Sequence, residues 1–390
     1  MVPNEKIANN TRPKVCHFSS VHHVWDTRVF YRECVSLAKE FDVTLIAIGK
    51  GDFVKQGVHV IGITKPKNIF YRFFITVFHV FILAVKQDAQ IYHIHDAEMI
   101  PFGIVLSILG KKVIYDIHEN TYDDILLKPW VNKALRLFLA RTYNALLWFG
   151  SKFMHYIIVV ADPKFLNKFF VAAEECTIIQ NFADPKDWEP YLVKNRSELP
   201  GNHIFYVGMI RDMYYHIDTV LEAIYKLKGE GFLCELHLLG YFGSRTNSSF
   251  SNLPFWNEIK SQIHFYGFLE KEEAYQISMK CKVGLCIKNQ PESMLVSHER
   301  KWFEYMCIGL PSVFCNREIY TSINTKFELG VAVNLEDANE IARTLKSILC
   351  DPTKQKSFAL NNILAANAQF NWQLEAKKLT SLYWKLLPFA

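Results

Sequence analysis

Ser297-His-Glu-Arg-Lys-Trp-Phe-Glu-Tyr-Met-Cys-Ile-Gly-Leu-Pro-Ser-Val-Phe-Cys-Asn316 reads as a polar loop, a short helix holding Lys301 and Glu304, a Gly-Leu-Pro turn and a buried strand. A loop that runs into a helix offers backbone N–H groups without intrahelical partners and a partial positive charge, a setting suited to a diphosphate. Glu304 falls inside that helix among apolar neighbours, where an unpaired carboxylate is costly. A ribose diol would satisfy it. A capped core helix with a surface glutamate is the plainer alternative.

Working outward, the same strand-then-helix alternation fills both halves of the 390 residues. Short apolar runs fall at 14–18, 43–48, 90–94, 112–116, 156–160 and 176–180, with helical patterns at 28–40, 69–86, 98–109 and 130–150. Residues 185–202 are polar, hold Pro185, Pro190, Pro200 and Gly201, and read as an interdomain linker. The alternation restarts with strand patterns at 203–207, 234–239, 263–266, 282–287 and 312–315. Helices are expected at 217–230, 271–280, 302–308, 337–349 and 353–367. Strands alternating with helices specify parallel sheets covered on both faces and joined by right-handed crossovers. Two α/β, Rossmann-like doubly wound domains are expected, 1–184 and 203–369, with ligands at the carboxyl ends of the strands across a central cleft. Residues 370–390 read as a further helix. No repeat or low-complexity segment interrupts the pattern.

A net charge of +5, spread over both halves, does not suggest a nucleic-acid binder. Nine cysteines without a CxxC pair, Cys16, Cys234, Cys286 and Cys315 among them in apolar runs, fit buried free thiols in a reducing compartment. The polar first thirteen residues do not read as a signal peptide, so the expected location is cytoplasmic. Two segments qualify that. Residues 69–85 are apolar apart from Arg72 and His79, and 133–152 are rich in Leu, Phe and Trp with basic and no acidic side chains. Both read either as core helices or as a face lying on an anionic membrane, which makes the inner-membrane surface an expected partner.

Candidate chemistry sits just beyond the strands. Asp26, before a helix, is either its N-cap or a carboxylate that meets an acceptor hydroxyl. His93-Ile-His-Asp96 and Tyr115-Asp-Ile-His-Glu119 place two His–acid pairs at successive strand ends. Zinc is the rival use of such residues, but neither HExxH nor a cysteine ligand set accompanies them. A Walker loop, GxGxxG after the first strand and GxSxG are also missing, which argues against P-loop, dinucleotide and serine-hydrolase chemistry. In the second half, Tyr206-Val-Gly-Met-Ile-Arg211 joins a strand to a helix. Gly208 allows close backbone approach, and Arg211 and Lys301 could fork onto phosphate oxygens. Gly240 and Gly267 end two further strands. Arg211, Lys301 and Glu304 together suit a nucleoside diphosphate held without a metal.

These motifs resemble those of the GT-B glycosyltransferases, specifically the retaining family 4 group of bacterial polysaccharide and lipopolysaccharide assembly. The resemblance rests on Asp26-Thr-Arg28, His93-Ile-His-Asp-Ala-Glu98, Val113-Ile-Tyr-Asp-Ile-His-Glu119, Tyr206-Val-Gly208 with Arg211, and Lys301-Trp-Phe-Glu-Tyr-Met306 with Gly309-Leu-Pro311. It implies that Arg211 and Lys301 hold the donor diphosphate, that Glu304 binds the ribose, and that Gly267 with Phe268 lies along the base. It also implies that His118 contacts the transferred sugar, that Asp26 faces the acceptor, and that 370–387 crosses back to the N-terminal domain. Two departures stand out. Val296 occupies the place of a usual acidic residue, leaving sugar hydroxyls to Glu292, Glu299 or backbone N–H groups. Tyr214, Tyr215 and His216 stand where a second lysine is usual. The expected activity is metal-independent, retaining hexosyl transfer from a nucleotide sugar, UDP being the likelier carrier, to a lipid-linked or glycan acceptor. A sugar-nucleotide epimerase of the same fold and a non-catalytic partner are the alternatives.

Overall fold

The computed structural model describes residues 12–117, 121–128, 131–160, 176–209, 215–241, 250–288 and 298–387. The chain divides into two compact units. Unit 1 takes the residues up to Asn181 together with those from Gln373 onward, and unit 2 is Phe182–Trp372.

Among the described residues, unit 1 is built on eight strands: β1 (Lys14–His23), β2 (Asp42–Ile48), β3 (Asp52–Lys55), β4 (Val58–Ile63), β5 (Ile91–Ile94), β6 (Lys112–Ile117), β7 (Tyr156–Val159) and β8 (Cys176–Ile178). Their order is β3-β4-β2-β1-β5-β6-β7-β8. All neighbours are parallel except β3 against β4. That hairpin, unexpected from the sequence, turns at Gln56 and Gly57 with φ of 50° and 80°, the left-handed geometry of a tight two-residue hairpin. Elsewhere the strands are continuous apolar runs because both faces are covered: Val43, Leu45, Ile46 and Ala47 of β2 are all buried. Residues Trp372–Leu386 form a helix whose Leu379 and Tyr383 are fully buried. From it, Glu375 accepts a hydrogen bond from the Gln180 N–H (2.8 Å).

Unit 2 carries β9 (His203–Val207), β10 (Glu235–Leu239), β11 (Ile263–Gly267), β12 (Val283–Cys286), β13 (Ser312–Cys315) and β14 (Gly330–Val333). They form one parallel sheet in the order β11-β10-β9-β12-β13-β14. The stretch 185–202, expected to be a linker, is instead part of this unit. It forms the short helix Pro185–Trp188 and two 3-10 turns, Glu189–Tyr191 and Arg196–Glu198, and its Trp188, Tyr191 and Arg196 are buried. Prolines at helix starts and an anchoring arginine gave the segment its loop-like composition. The Arg196 guanidinium donates to the carbonyls of Gly309 (2.7 Å), Ser278 (2.9 Å), Cys281 (2.5 Å) and Ile308 (2.7 Å). It thereby satisfies carbonyls at the ends of two helices, Lys271–Ser278 and Arg300–Cys307, that have no intrahelical donor.

Candidate functional site

In unit 2 the chain reverses direction across the sheet at β9, with β10 and β11 on one side and β12 to β14 on the other. A doubly wound sheet opens its ligand crevice at such a point, beyond the carboxyl ends of the strands. Three neighbouring strands finish there in glycine, Gly208, Gly240 and Gly267, with φ of 141°, 119° and 68°. Gly240 has no room for a side chain, and Gly208 has room only if the end of Lys301 shifts. A Cβ on Gly240 would stand 2.2 Å from the Gly208 carbonyl oxygen, and one on Gly208 would stand 2.9 Å from Lys301 Nζ. Backbone bonds tie the turns together, Gly208 N–H to the Leu239 carbonyl (3.0 Å) and Gly240 N–H to the Gly267 carbonyl (2.6 Å). Phe268 follows the third glycine with 74 % of its surface exposed.

Against this glycine edge stands the start of helix Arg300–Cys307. Lys301 Nζ lies 2.9 Å from Glu299 Oε2 and 4.0 Å from the centre of the Tyr206 ring. Burial works against the charged ammonium, but the Glu299 carboxylate outweighs it and raises its pKa well above the ordinary value, so Lys301 is a fixed cation. Glu299 is itself held, accepting from the Lys288 N–H (3.3 Å) and donating its own N–H to the Tyr320 hydroxyl (2.9 Å). Glu304, one helical turn on and 5 % exposed, accepts from the Tyr275 hydroxyl and, at 2.8 Å, from Arg300 Nε. The partner demanded by a carboxylate in an apolar helix is thus supplied inside unit 2. Tyr275 left no sequence signal, because it lies on a separate helix twenty-nine residues away.

In unit 1 the described parts of the His–acid segments come together, mostly out of solvent. His17 and His93 are register partners on β1 and β5. His17 Nδ1 is 3.0 Å from His95 Nε2, and the Tyr383 hydroxyl bridges His17 Nε2 (2.9 Å) and His93 Nδ1 (2.6 Å). Arg28 grips Asp116 through two nitrogens and lies 2.9 Å from Glu33, which ties the Asp26-Thr-Arg28 segment to β6. Asp96 accepts from Ser19 Oγ (2.9 Å) and the Ser20 N–H (2.6 Å). Nearer the surface, Asp26 does what an N-cap does, accepting from the N–H groups of Arg28 (2.8 Å) and Val29 (2.9 Å). Its other oxygen meets His22 Nδ1 at 3.2 Å. Burial opposes charge on both, yet their mutual attraction prevails, raising His22 and lowering Asp26.

Among the described residues, two groups place possible metal-ligand atoms within 4.8 Å of one another: His17, Glu33, His93 and His95, and His203, Glu235 and His237. In the first, the Arg28 guanidinium already faces two carboxylates, Glu33 and Asp116. Burial, with Asp116 beside it, pushes Glu33 well up. In the second, burial pushes His237 down to about 3 and Lys280 adds to the effect, so this imidazole stays neutral.

No protein-family model matches the sequence, and no curated protein is similar to it. Solved structures do match. The sucrose-phosphate synthase of Thermosynechococcus elongatus aligns with a TM-score of 0.71 at 16 % identity, over 96 % of this chain and 99 % of that one. HepE of Anabaena, in complex with UDP-glucose, aligns at 0.69 and 15 % identity, over 95 % and 99 %. WaaG, a glycosyltransferase involved in lipopolysaccharide biosynthesis, aligns at 0.65 and 13 % identity, over 94 % and 98 %.

The chain has the GT-B fold.

Within this GT-B chain, the structure brings Gly208, Gly240, Gly267, Phe268 and Lys301 to one edge of unit 2, with Glu304 one turn behind Lys301 on the same helix. Asp26 lies in unit 1. Arg211 and His118, together with Tyr214, Glu292 and Val296, lie outside the described residues.

Proposed function

We propose that the protein transfers a sugar from a nucleotide-sugar donor, with UDP as the carrier, to a lipid-linked or glycan acceptor in cell-surface polysaccharide assembly. One observation carries this reading: a largely buried, charged Lys301 set against three strand-end glycine turns of positive φ, at the switch point of a parallel sheet. That edge offers flat backbone to a base, the exposed ring of Phe268 to stack on it, and a cation where a diphosphate would lie. Glycosyltransferases of the same fold, one of them in complex with UDP-glucose, add support.

In this reading Lys301, together with Arg211, neutralises the diphosphate as the glycosidic bond breaks, electrostatic help supplied by side chains prepared in advance. No metal is required, because the charge a metal would offset is met by these cations. Glu299 holds Lys301 in position and, three residues along the sequence from Val296, is one candidate with Glu292 and backbone N–H groups to meet the sugar hydroxyls. Glu304 reaches the ribose by exchanging its bond to Tyr275 or Arg300 for one to a hydroxyl. His118 contacts the departing sugar, and Asp26 with His22 marks the acceptor side. Transfer proceeds with retention, attack coming from the leaving-group side without an enzymic nucleophile. The reading belongs to family 4 and to the cytoplasm, where the buried thiols of Cys16, Cys234, Cys286 and Cys315 remain reduced.

Thermal stabilisation by UDP, GDP and UDP-sugars tests the donor assignment, since a ligand that binds only the folded state raises Tm. UDP should stabilise the wild type. Lys301→Ala should weaken that binding and reduce sugar transfer about a hundredfold, the scale of losing one preorganised electrostatic contact. Undiminished binding and transfer in Lys301→Ala would reject the site. Release of an epimerised nucleotide sugar without acceptor would replace transfer by epimerisation.

A further inference from the structure

Three helices of unit 1 share a property that the donor site leaves unexplained: Ile69–Lys86, Ile100–Ile108 and Lys133–Ser151. They are contiguous. The Phe102 ring lies 5.2 Å from Phe78 and 4.6 Å from Phe81, and a Cβ on Gly150 would fall 2.4 Å from Ile100 Cγ2. The crossovers from β4 to β5, β5 to β6 and β6 to β7 all step the same way across the sheet. Right-handed connections therefore lay the three helices side by side on one face.

The inward row of the first helix, Thr76, Val77, Val80 and Ala84, is buried. Its outward row is apolar too, with Phe70, Phe74 and Ile82 at 67 %, 59 % and 53 % exposure. Ile108 at 69 % and Phe138 at 65 % continue it on the neighbouring helices. A surface helix ordinarily places polar residues there, and only 22 % of the 69–86 window is buried, so core packing does not account for its hydropathy. Charge gives the second indication. The three helices contain no Asp or Glu; Arg72 pairs with Glu98 beyond them (3.0 Å), and their other charged residues are Lys86, Lys133, Arg136 and Arg141. Just beyond them, Lys152 sits 3.7 Å from the centre of the Trp148 ring.

We propose that this three-helix face docks on an anionic lipid bilayer, lying in the interfacial plane with its aromatic side chains at the boundary between headgroups and acyl chains. By length and composition the 69–86 helix could cross a membrane; its buried row holds it on the sheet, so it lies flat. A second copy of the chain is a poorer occupant, because a two-fold contact sets like charges against each other. Apolar insertion and basic residues are the two attractions that add at such a surface.

Co-sedimentation of the full chain with vesicles decides it. The wild type should pellet with phosphatidylcholine–phosphatidylglycerol vesicles and much less with phosphatidylcholine alone. Phe70→Ser, Phe74→Ser and Ile108→Ser combined should cut the bound fraction about tenfold or more, since each exposed apolar side chain contributes to insertion. Lys133→Glu with Arg141→Glu should abolish only the preference for anionic vesicles. Stabilisation by UDP, measured on the same variants, should be unchanged, which shows that they are folded and separates this face from the donor site. Wild type left in the supernatant with both vesicles overturns the proposal, as does a triple serine variant that pellets like wild type. A dimer in ultracentrifugation, lost in the triple variant without vesicle binding, gives the face to self-association and overturns it as well.

Discussion

Gly240 is the most constrained single position of the glycine edge, since its φ of 119° and the 2.2 Å approach to the Gly208 carbonyl leave a methyl group nowhere to go. Gly240→Ala should lose UDP-dependent stabilisation and lower Tm as β10 shifts. Gly267→Ala meets no atom within 4 Å and pays only for its positive φ, about 1 kcal/mol. Parallel melts of the two variants, with and without UDP, check the contrast. The His22–Asp26 pair gives a pH prediction. His22 is raised in the folded state, so its contribution is complete below its unfolded value of about 6.5 and fades as pH rises through the folded value. Asp26 is lowered, so its contribution is complete above about 3.9 and fades as pH falls through the folded value. The pair therefore stabilises most between roughly pH 4 and 6.5. His22→Gln should lower the urea midpoint clearly at pH 5.5 and little at pH 8.5. Lys301 and the glycines were legible in the sequence because strand ends in this topology announce themselves. The partners Tyr275 and Tyr383 were not, because contacts between distant segments leave no local pattern.

At the level of elements, the alternation of apolar runs and amphipathic stretches located most strands of both sheets. β3, β4, β14 and the helix Glu318–Phe327 escaped it. β3 is a four-residue edge strand with an exposed Val54, and Gly330–Val333 is too short for periodicity to show. The supposed linker failed for a different reason: polar residues and prolines there serve packing. Arg196 is the element's anchor, and its loss would take the side-chain donor from the Gly309 and Cys281 carbonyls, while those of Ser278 and Ile308 keep the N–H groups of Cys281 and Val193. At about 1–3 kcal/mol for each buried polar group left unpaired, Arg196→Ala should destabilise unit 2 by several kcal/mol. Arg196→Lys should recover little, because one ammonium cannot reproduce a planar fork of donors. Denaturant unfolding monitored with and without UDP measures both.

For the molecule as a whole, unit 1 is discontinuous in sequence and unit 2 is not. Tyr383 completes the hydrogen bonds of His17 and His93, and Trp384 Nε1 donates to Glu40 (2.6 Å). A chain ending at Trp372 should therefore leave unit 1 open to limited proteolysis while a fragment near 182–372 survives digestion. Survival of the 12–181 region in that truncation would show that the returning helix is dispensable. The same discontinuity sets an order of events during synthesis. The first half leaves the ribosome with a gap over its paired histidines that stays unfilled until Tyr383 emerges, by which time the second half has everything it needs to fold. The portion translated first is finished last, and in that interval it is the one in need of a chaperone.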